Sequence, residues 1–333
     1  MLYRILNHPI SKTTITSIFV FGLSVVIVPE WFDFSQKYNH FAIQIMFAYL
    51  FLGLLFLMLR QKTLMSISFL CCALLCFYLK LAVDVEGNGF NILRQQRVKE
   101  AVPTRFSVAH FNLGAGNDEA EILASIRNAD ADLVSIQEIR PDLLSKMTDS
   151  LDVDYHFHET LGDIRMLGMG VFSKKSLTTF GTINHKGLVS TCGNLSVGNK
   201  GESIHFVTTN TMPALNEQSF AKLREHLKTL ILHLDTLDAP VIALGDFNAA
   251  PWSNIIIEFE TRTHLKDSRE GFMSSFTGGS TSMFGAPLNH IFYSKHLKCM
   301  GFETIPSSNF AFSGIKGIYE LKLVQSNASA TYQ

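Results

Sequence analysis

Apolar residues are distributed very unevenly along the chain. Residues 15–28, 41–59 and 64–83 are three nearly unbroken apolar stretches; Gln44 interrupts the second, and Lys80 lies near the end of the third. Each approaches the roughly 20 residues that a helix needs to cross a bilayer. They are apolar all round rather than on one stripe, which predicts membrane helices instead of core helices. A lone signal peptide would account for the first stretch but not for all three. Arg4 and Lys12 precede the first stretch, and Arg60 and Lys62 fill the second connection. The positive-inside rule then puts the N-terminus in the cytoplasm, and an odd number of crossings puts everything after Val83 outside it.

Beyond a polar linker at 84–103 the pattern becomes that of a globular domain, 104–325, with a loose polar tail at 326–333. Strand-like alternation or short apolar runs cover 105–113, 132–138, 155–159, 168–174, 188–197, 203–210, 240–244, 290–294 and 318–323. Helical periodicity covers 119–128, 141–150 and 220–237, and another helix starts at Ser253. Strands interspersed with a few helices predict a layered α/β sandwich.

Composition changes this picture little. The 333 residues carry a net charge of −1, which argues against an electrostatic nucleic-acid binder. The mean hydropathy of +0.19 reflects the apolar first third. Of five cysteines, Cys192 and Cys299 lie outside the apolar stretches, and pairing between them is not readable from sequence. No Cys-x-x-Cys motif or Cys/His cluster is present in the sequence, which argues against a structural zinc site.

Candidate chemistry sits at predicted strand ends. The run Gly245-Asp246-Phe247-Asn248-Ala249-Ala250-Pro251-Trp252-Ser253 follows an apolar strand. It puts a carboxylate and a carboxamide two residues apart, on the same side of the strand's end. Such oxygens suit a hard metal ion or its bound water, although Asp and Asn also favour plain turns. Asn112, Gln137-Glu138 and Asn210 occupy comparable strand ends. His110, His185 and His205 belong to no motif and read as structural or surface residues.

Taken in order, the Phe-Asn-Leu-Gly run at 111–114, Gln137-Glu138 and the Gly245 to Ser253 run resemble the endonuclease/exonuclease/phosphatase superfamily, over about residues 104–324. With the apolar stretches in front, the chain looks most like the superfamily's bacterial membrane-anchored branch. The resemblance implies a four-layered α/β sandwich, two β-sheets flanked by helices, here behind three transmembrane helices. It also implies hydrolysis of phosphodiesters or phosphomonoesters with Mg²⁺ or Mn²⁺. Glu138 and Asn112 would hold the metal, Asp246 would orient the attacking water, and Asn248 would hold the phosphate, with Asn210 alongside. The substrate would be a lipid headgroup, a nucleotide or a nucleic acid. The location would be the bacterial inner membrane, multi-pass, with the C-terminal domain extracytoplasmic.

The chain departs from the superfamily's pattern at three places. The Ser-Asp-His run before the last strand is matched by Ser313-Gly314-Ile315, or in another register by 307–310, and neither carries Asp or His. Asn289 stands where an Asp normally orients the catalytic His, and Asn210 stands where this branch has His. The metal side of the site is kept and the proton-transfer side is stripped. His290 is a possible replacement, its plainer reading being a packed strand histidine. General acid–base help is worth ~10²–10⁴-fold. The alternative to a phosphoesterase is therefore an impaired or inactive relative that acts as a binding or scaffold module.

Overall fold

A computed structural model of the chain describes residues 8–28, 41–83, 104–114, 118–164, 167–198, 201–270, 286–307 and 312–322. The expected linker at 84–103, the tail at 326–333 and the middle of the alternative register at 307–310 lie outside these.

Three apolar helices come first: α1 (Pro9–Ile27), α2 (Ala42–Met58) and α3 (Lys62–Val83). Two of them, α1 and α3, are long and apolar enough to cross a membrane. The third expected span is corrected: α2 is a 17-residue helix that ends before a turn at Leu59 and Arg60. At 1.5 Å per residue it is about 25 Å long, short of the roughly 30 Å hydrocarbon core. The odd-crossing argument for an outward-facing domain loses its footing with it. The helices pack through Phe19, Met46, Tyr49, Phe56, Leu75 and Leu79. The Tyr49 hydroxyl donates to the Phe19 carbonyl, and the Ser68 hydroxyl to the Tyr49 carbonyl. Phe51, Met58, Leu70 and Phe77 point outward, each more than half exposed.

The rest of the described chain folds into two six-stranded sheets. The first contains β1 (Arg105–Asn112), β2 (Leu133–Ile139), β3 (Phe157–Ile164), β4 (Leu167–Ser173), β11 (Leu297–Pro306) and β12 (Ser313–Leu321), in the order β11-β12-β1-β2-β4-β3. The second contains β5 (Leu177–His185), β6 (Leu188–Ser196), β7 (Ser203–Asn210), β8 (Val241–Asp246), β9 (Lys266–Asp267) and β10 (Asn289–Tyr293), in the order β5-β6-β7-β8-β10-β9. In each sheet a single parallel pair lies at the centre, β1 with β2 and β7 with β8.

The cores follow the period of two. Phe106, Val108, Leu133, Ile204, Phe206, Ile242, Leu244, Ile291 and Ile315 fill the space between the sheets. The alternate positions face helices. Ala109, Phe111, Val134 and Ile136 meet α4 (Glu119–Ala129) and α5 (Pro141–Leu151) on the first sheet. Val207, Val241, Ala243 and Phe292 meet α6 (Glu217–Asp235) and α7 (Asn254–Thr263) on the second. Two of these helices begin at side-chain caps: at α4 Asp118 accepts from Glu121 N–H, and at α6 Asn216 and Ser219 form a capping box. The α/β sandwich of two sheets flanked by helices is thus present. Cys192 and Cys299 are both free thiols.

Candidate active site

Alternation along the strands decides which groups reach the cleft between the sheets. On β1, residues 106, 108, 110 and 112 share one face; on β8, residues 242, 244 and 246 share the opposing one. Asn112 and Asp246 therefore meet across the sheets, and Asn112 Nδ2–H donates to Asp246 Oδ2 at 2.7 Å. Asn210 ends β7 beside Asp246 in register. Its side chain makes no hydrogen bond among the described residues.

Gln137 holds the sheets together underneath. Its Oε1 accepts from Asp246 N–H at 3.1 Å, while its Nε2 donates to Thr208 Oγ1 and to the Thr209 carbonyl, each at 2.9 Å. This bridge explains why Gly245 precedes Asp246. Gly245 has φ +140°, and a Cβ there would lie 1.9 Å from the Thr209 oxygen and 2.9 Å from Gln137 Nε2. Only glycine lets the backbone of β8 come this close.

Glu138 reaches the cleft by breaking the alternation. Strict period two would send it to the helix side with Ile136, but the register of β2 with β4 shifts between Gln137 and Ile139. Glu138 sits at that bulge with φ +56°. Left-handed backbone is costly for a non-glycine residue, and bulges beside active sites commonly re-aim a side chain. Here the effect is to bring Glu138 Oε2 and Asn112 Oδ1 together: both lie 3.8 Å from the point where a Cβ on Gly114 would stand. Among the described residues the half-buried Glu138 carboxylate makes no hydrogen bond or ion pair. Asn248 is the site's second left-handed residue, at φ +49°. Its N–H caps Asp246 Oδ1 at 2.8 Å, and its Nδ2 donates to the Thr211 carbonyl at 2.8 Å.

The electrostatics of the site centre on Asp246. Burial, and then the charge of Glu138, push the Asp246 carboxyl up to about 7 against the opposing hydrogen bonds from Asn248 and Asn112. Glu138 Oε2 and Asn112 Oδ1 approach one point, and Asn112 Nδ2–H also donates to the Asp246 carboxyl; such oxygen donors fit a hard divalent cation. The residues that would hold it are Glu138 and Asn112.

His290 does not join this group. Asn289 faces the cleft, so the next residue faces the helices, where His290 stacks on Phe292 and meets Phe247 edge-on. It is fully buried, with Nδ1 2.7 Å from Asp267 Oδ2 and Nε2 2.9 Å from the Ala249 carbonyl oxygen. It therefore braces the Asp246–Ala250 loop from behind.

The C-terminal segment forms β12 beside β1. Ser313, Gly314 and Ile315 pair with Asn112, Phe111 and His110. Ile315 faces the cleft floor, fully buried, while a Cβ on Gly314 would meet Phe111 at 2.8 Å on the other face. One polar contact at this level was not foreseen: His110 Nε2 lies 3.3 Å from Asn289 Oδ1. The signal for it is the position of His110 two residues before Asn112, on the same face of β1.

The site also touches the apolar bundle. Ala250 and Trp252, just beyond Asn248, belong to the same apolar cluster as α1–α3, and Trp252 is 1 % exposed. The Tyr78 hydroxyl lies 3.5 Å from the Trp252 carbonyl oxygen.

Comparison with known proteins agrees with this architecture. The structure resembles a Bacteroides thetaiotaomicron endonuclease/exonuclease/phosphatase family protein, with TM-score 0.54 and 18% identity over 67% of this chain and 100% of that one. It resembles the human Nocturnin catalytic domain with TM-score 0.54 and 15% identity, covering 66% and 96%, and an endonuclease/exonuclease/phosphatase from Beutenbergia cavernae with TM-score 0.52 and 16% identity, covering 66% and 72%. No curated protein matches the chain. The sequence profile described as the Endonuclease/Exonuclease/phosphatase family matches residues 109–311, which span Asn112, Glu138, Asp246 and Asn248. Strand-end groups, paired sheets and profile agree, and the chain belongs to the endonuclease/exonuclease/phosphatase family.

Proposed function

We propose that this chain is a membrane-attached, Mg²⁺- or Mn²⁺-dependent phosphoesterase whose substrate is a phosphorylated lipid headgroup. The observation that carries the reading is the Glu138 carboxylate, held at a strained bulge, without a hydrogen-bond or ion-pair partner among the described residues, near a second, buried carboxyl. Glu138 and Asn112 Oδ1 hold the metal. An ion held there would supply Lewis-acid help that offsets charge building on the phosphoryl oxygens. Asp246, fixed by Asn112 and by Asn248 N–H, orients the attacking water. The second N–H of the Asn248 carboxamide and the uncommitted Asn210 side chain contact the phosphate.

In this reading no described residue gives a proton to the leaving oxygen, since Ile315 lies at the cleft floor. Turnover is therefore slow with poor leaving groups and faster with aryl or anhydride ones.

The lipid assignment rests on placement and charge. The outer faces of α1–α3 are apolar, and the catalytic loop packs on that bundle through Trp252. An exposed apolar surface of this extent is suited to a bilayer. A net charge of −1 gives little attraction for nucleic acid.

The test uses the full chain in mixed micelles with Mg²⁺ or Mn²⁺, against phospholipid, nucleotide and bis(p-nitrophenyl) phosphate substrates, beside Asp246→Ala. Metal-dependent turnover that Asp246→Ala abolishes, greatest on phospholipid, is expected. Rates equal to that control on every substrate would leave a binding module instead, and a preference for nucleotides would remove the lipid assignment alone. A reporter fused after residue 322 reads which side of the membrane the domain occupies.

A further inference from the structure

Away from the cleft, the helix-facing side of the second sheet carries a cluster that no sequence motif announces. Cys192 on β6, His205 on β7 and His233 on α6 bring one sulfur and two imidazole nitrogens within 4.8 Å of one another. They are 13 and 28 residues apart in sequence, so only the strand pairing and the packing of α6 join them.

The arrangement is oriented as well as close. Asn194 Nδ2 donates to Thr179 Oγ1 at 2.7 Å, which turns Asn194 Oδ1 toward His205. His205 Nδ1 lies 2.9 Å from that oxygen and so carries the proton, leaving the lone pair of Nε2 aimed into the cluster. A hydrogen bond that fixes one ring nitrogen while the other is presented is the usual support of a metal-bound histidine. His233 Nε2 is 3.2 Å from His205 Nε2. Two imidazole nitrogens on one tetrahedral ion, at about 2.0–2.1 Å each, stand about 3.3 Å apart. Beside Cys192 in the ladder is Gly181, so no side chain covers the sulfur from β5; even a Cβ at 181 would clear it at 3.8 Å.

We propose that Cys192, His205 and His233 bind one borderline-soft divalent transition-metal ion of the Zn²⁺ class, with a fourth position open to water. Without the ion, His233 Nε2–H donates to His205 Nε2. On binding, that imidazole proton shifts to His233 Nδ1 and the Cys192 thiol proton leaves to solvent, so one proton is released per ion. Burial and the neighbouring His233 hold the His205 imidazole down, to about 4, so it does not compete for protons at neutral pH. The ion ties β6, β7 and α6 together. His205 lies five residues before Asn210 on one strand, roughly 17 Å from the cleft, so the bound ion acts on stability rather than on turnover.

The test is Co²⁺ and Zn²⁺ titration of the full chain after metal stripping, compared with Cys192→Ser, His233→Gln and Asn194→Ala. The intact chain should show a thiolate-to-cobalt charge-transfer band, bleached by one equivalent of Zn²⁺. That band should be absent in Cys192→Ser, and Zn²⁺ affinity should fall about 10–100-fold in Asn194→Ala. His233→Gln, in the half-exposed last turn of α6, guards against a folding artefact and should also weaken binding. Absence of the band from the intact chain, or its persistence in Cys192→Ser or at full strength in His233→Gln, would overturn the proposal. Failure of the phosphoesterase assay would leave it untouched.

Discussion

His110 Nε2 lies 3.3 Å from Asn289 Oδ1, and His110 is the register partner of Ile315. A histidine and a carboxamide thus meet beneath Asn112 and Asp246, beside Ile315 on the neighbouring strand. The pair is not a working substitute. His110 is 0 % exposed, and burial pushes its imidazole down to about 3, so it stays neutral wherever the fold persists. His110→Leu should therefore leave the pH profile of hydrolysis in place and alter only thermal stability. A profile that changes shape would show His110 moving a proton.

Putting the missing groups back should raise turnover. The double substitution Asn289→Asp with Ile315→His places a carboxylate and an imidazole at the cleft floor, where acid–base help is worth ~10²–10⁴-fold. The gain should be largest for alkyl esters, whose leaving oxygen needs a proton, and is read as kcat on alkyl against aryl phosphodiesters. Gly314→Asp should fail instead. Its Cβ meets Phe111 at 2.8 Å and Ile305 at 3.2 Å, so overpacking costs about 1–3 kcal/mol, measured by urea unfolding.

Gly245→Ala should be among the most damaging single changes in the chain. The added methyl runs into the Thr209 carbonyl at 1.9 Å and φ +140° is closed to alanine. A loss above about 4 kcal/mol is expected, which denaturant titration or failure to accumulate folded protein would reveal. A loss within 1 kcal/mol would mean that the Gln137 bridge yields easily.

Glu138→Gln separates function from folding. It removes the charge that raises Asp246 and leaves the bulge intact. Metal-free stability should change by no more than about 0.5 kcal/mol. The intact chain should gain about 2.7 kcal/mol at Mg²⁺ a hundredfold above its Kd, and the variant at the same Mg²⁺ should gain almost none. Calorimetry with and without Mg²⁺ checks both; equal gains would place the ion elsewhere.

Glu260, on α7 behind the catalytic loop, is raised to about 8 by burial and by Asp267 and Glu270. Its folded pKa exceeds the unfolded value of 4.5, so the folded state keeps a proton that the unfolded state gives up. This group's contribution is intact below about 4.5, falls as pH rises, and is fully lost above about 8. Glu260→Gln should flatten the decline in stability across that window. An unchanged slope would assign the decline to other groups.

Much of the fold was legible because the signals were local. The apolar run into Gly245-Asp246 and the spaced leucines of α6 announced themselves by period. Strand β5 did not. It is an edge strand whose residues 177–185 are all partly or fully exposed, so no alternation is written into it. β11, also at an edge, was missed too, although Leu297, Cys299 and Phe302 pack on the inter-sheet core. The site was half legible: the end of β8 gives Asp246 and Asn248, but the turn of Glu138 toward them is made by a bulge that residue types do not reveal. Counting strand parity from Asp246 through its partner Asn289 would have placed His290 on the helix side.

The loop that carries Asp246 and Asn248 is clamped on two sides, by His290 from the second sheet and by the helix bundle through Trp252. Its position is therefore set jointly by parts of the chain more than 150 residues apart, as the Tyr78 to Trp252 contact spans 174 positions. A sideways shift of α3 would reach Asp246 through six residues of backbone, from Trp252 back to Asp246. The packing of the apolar helices and the geometry of the candidate site are therefore one mechanical unit.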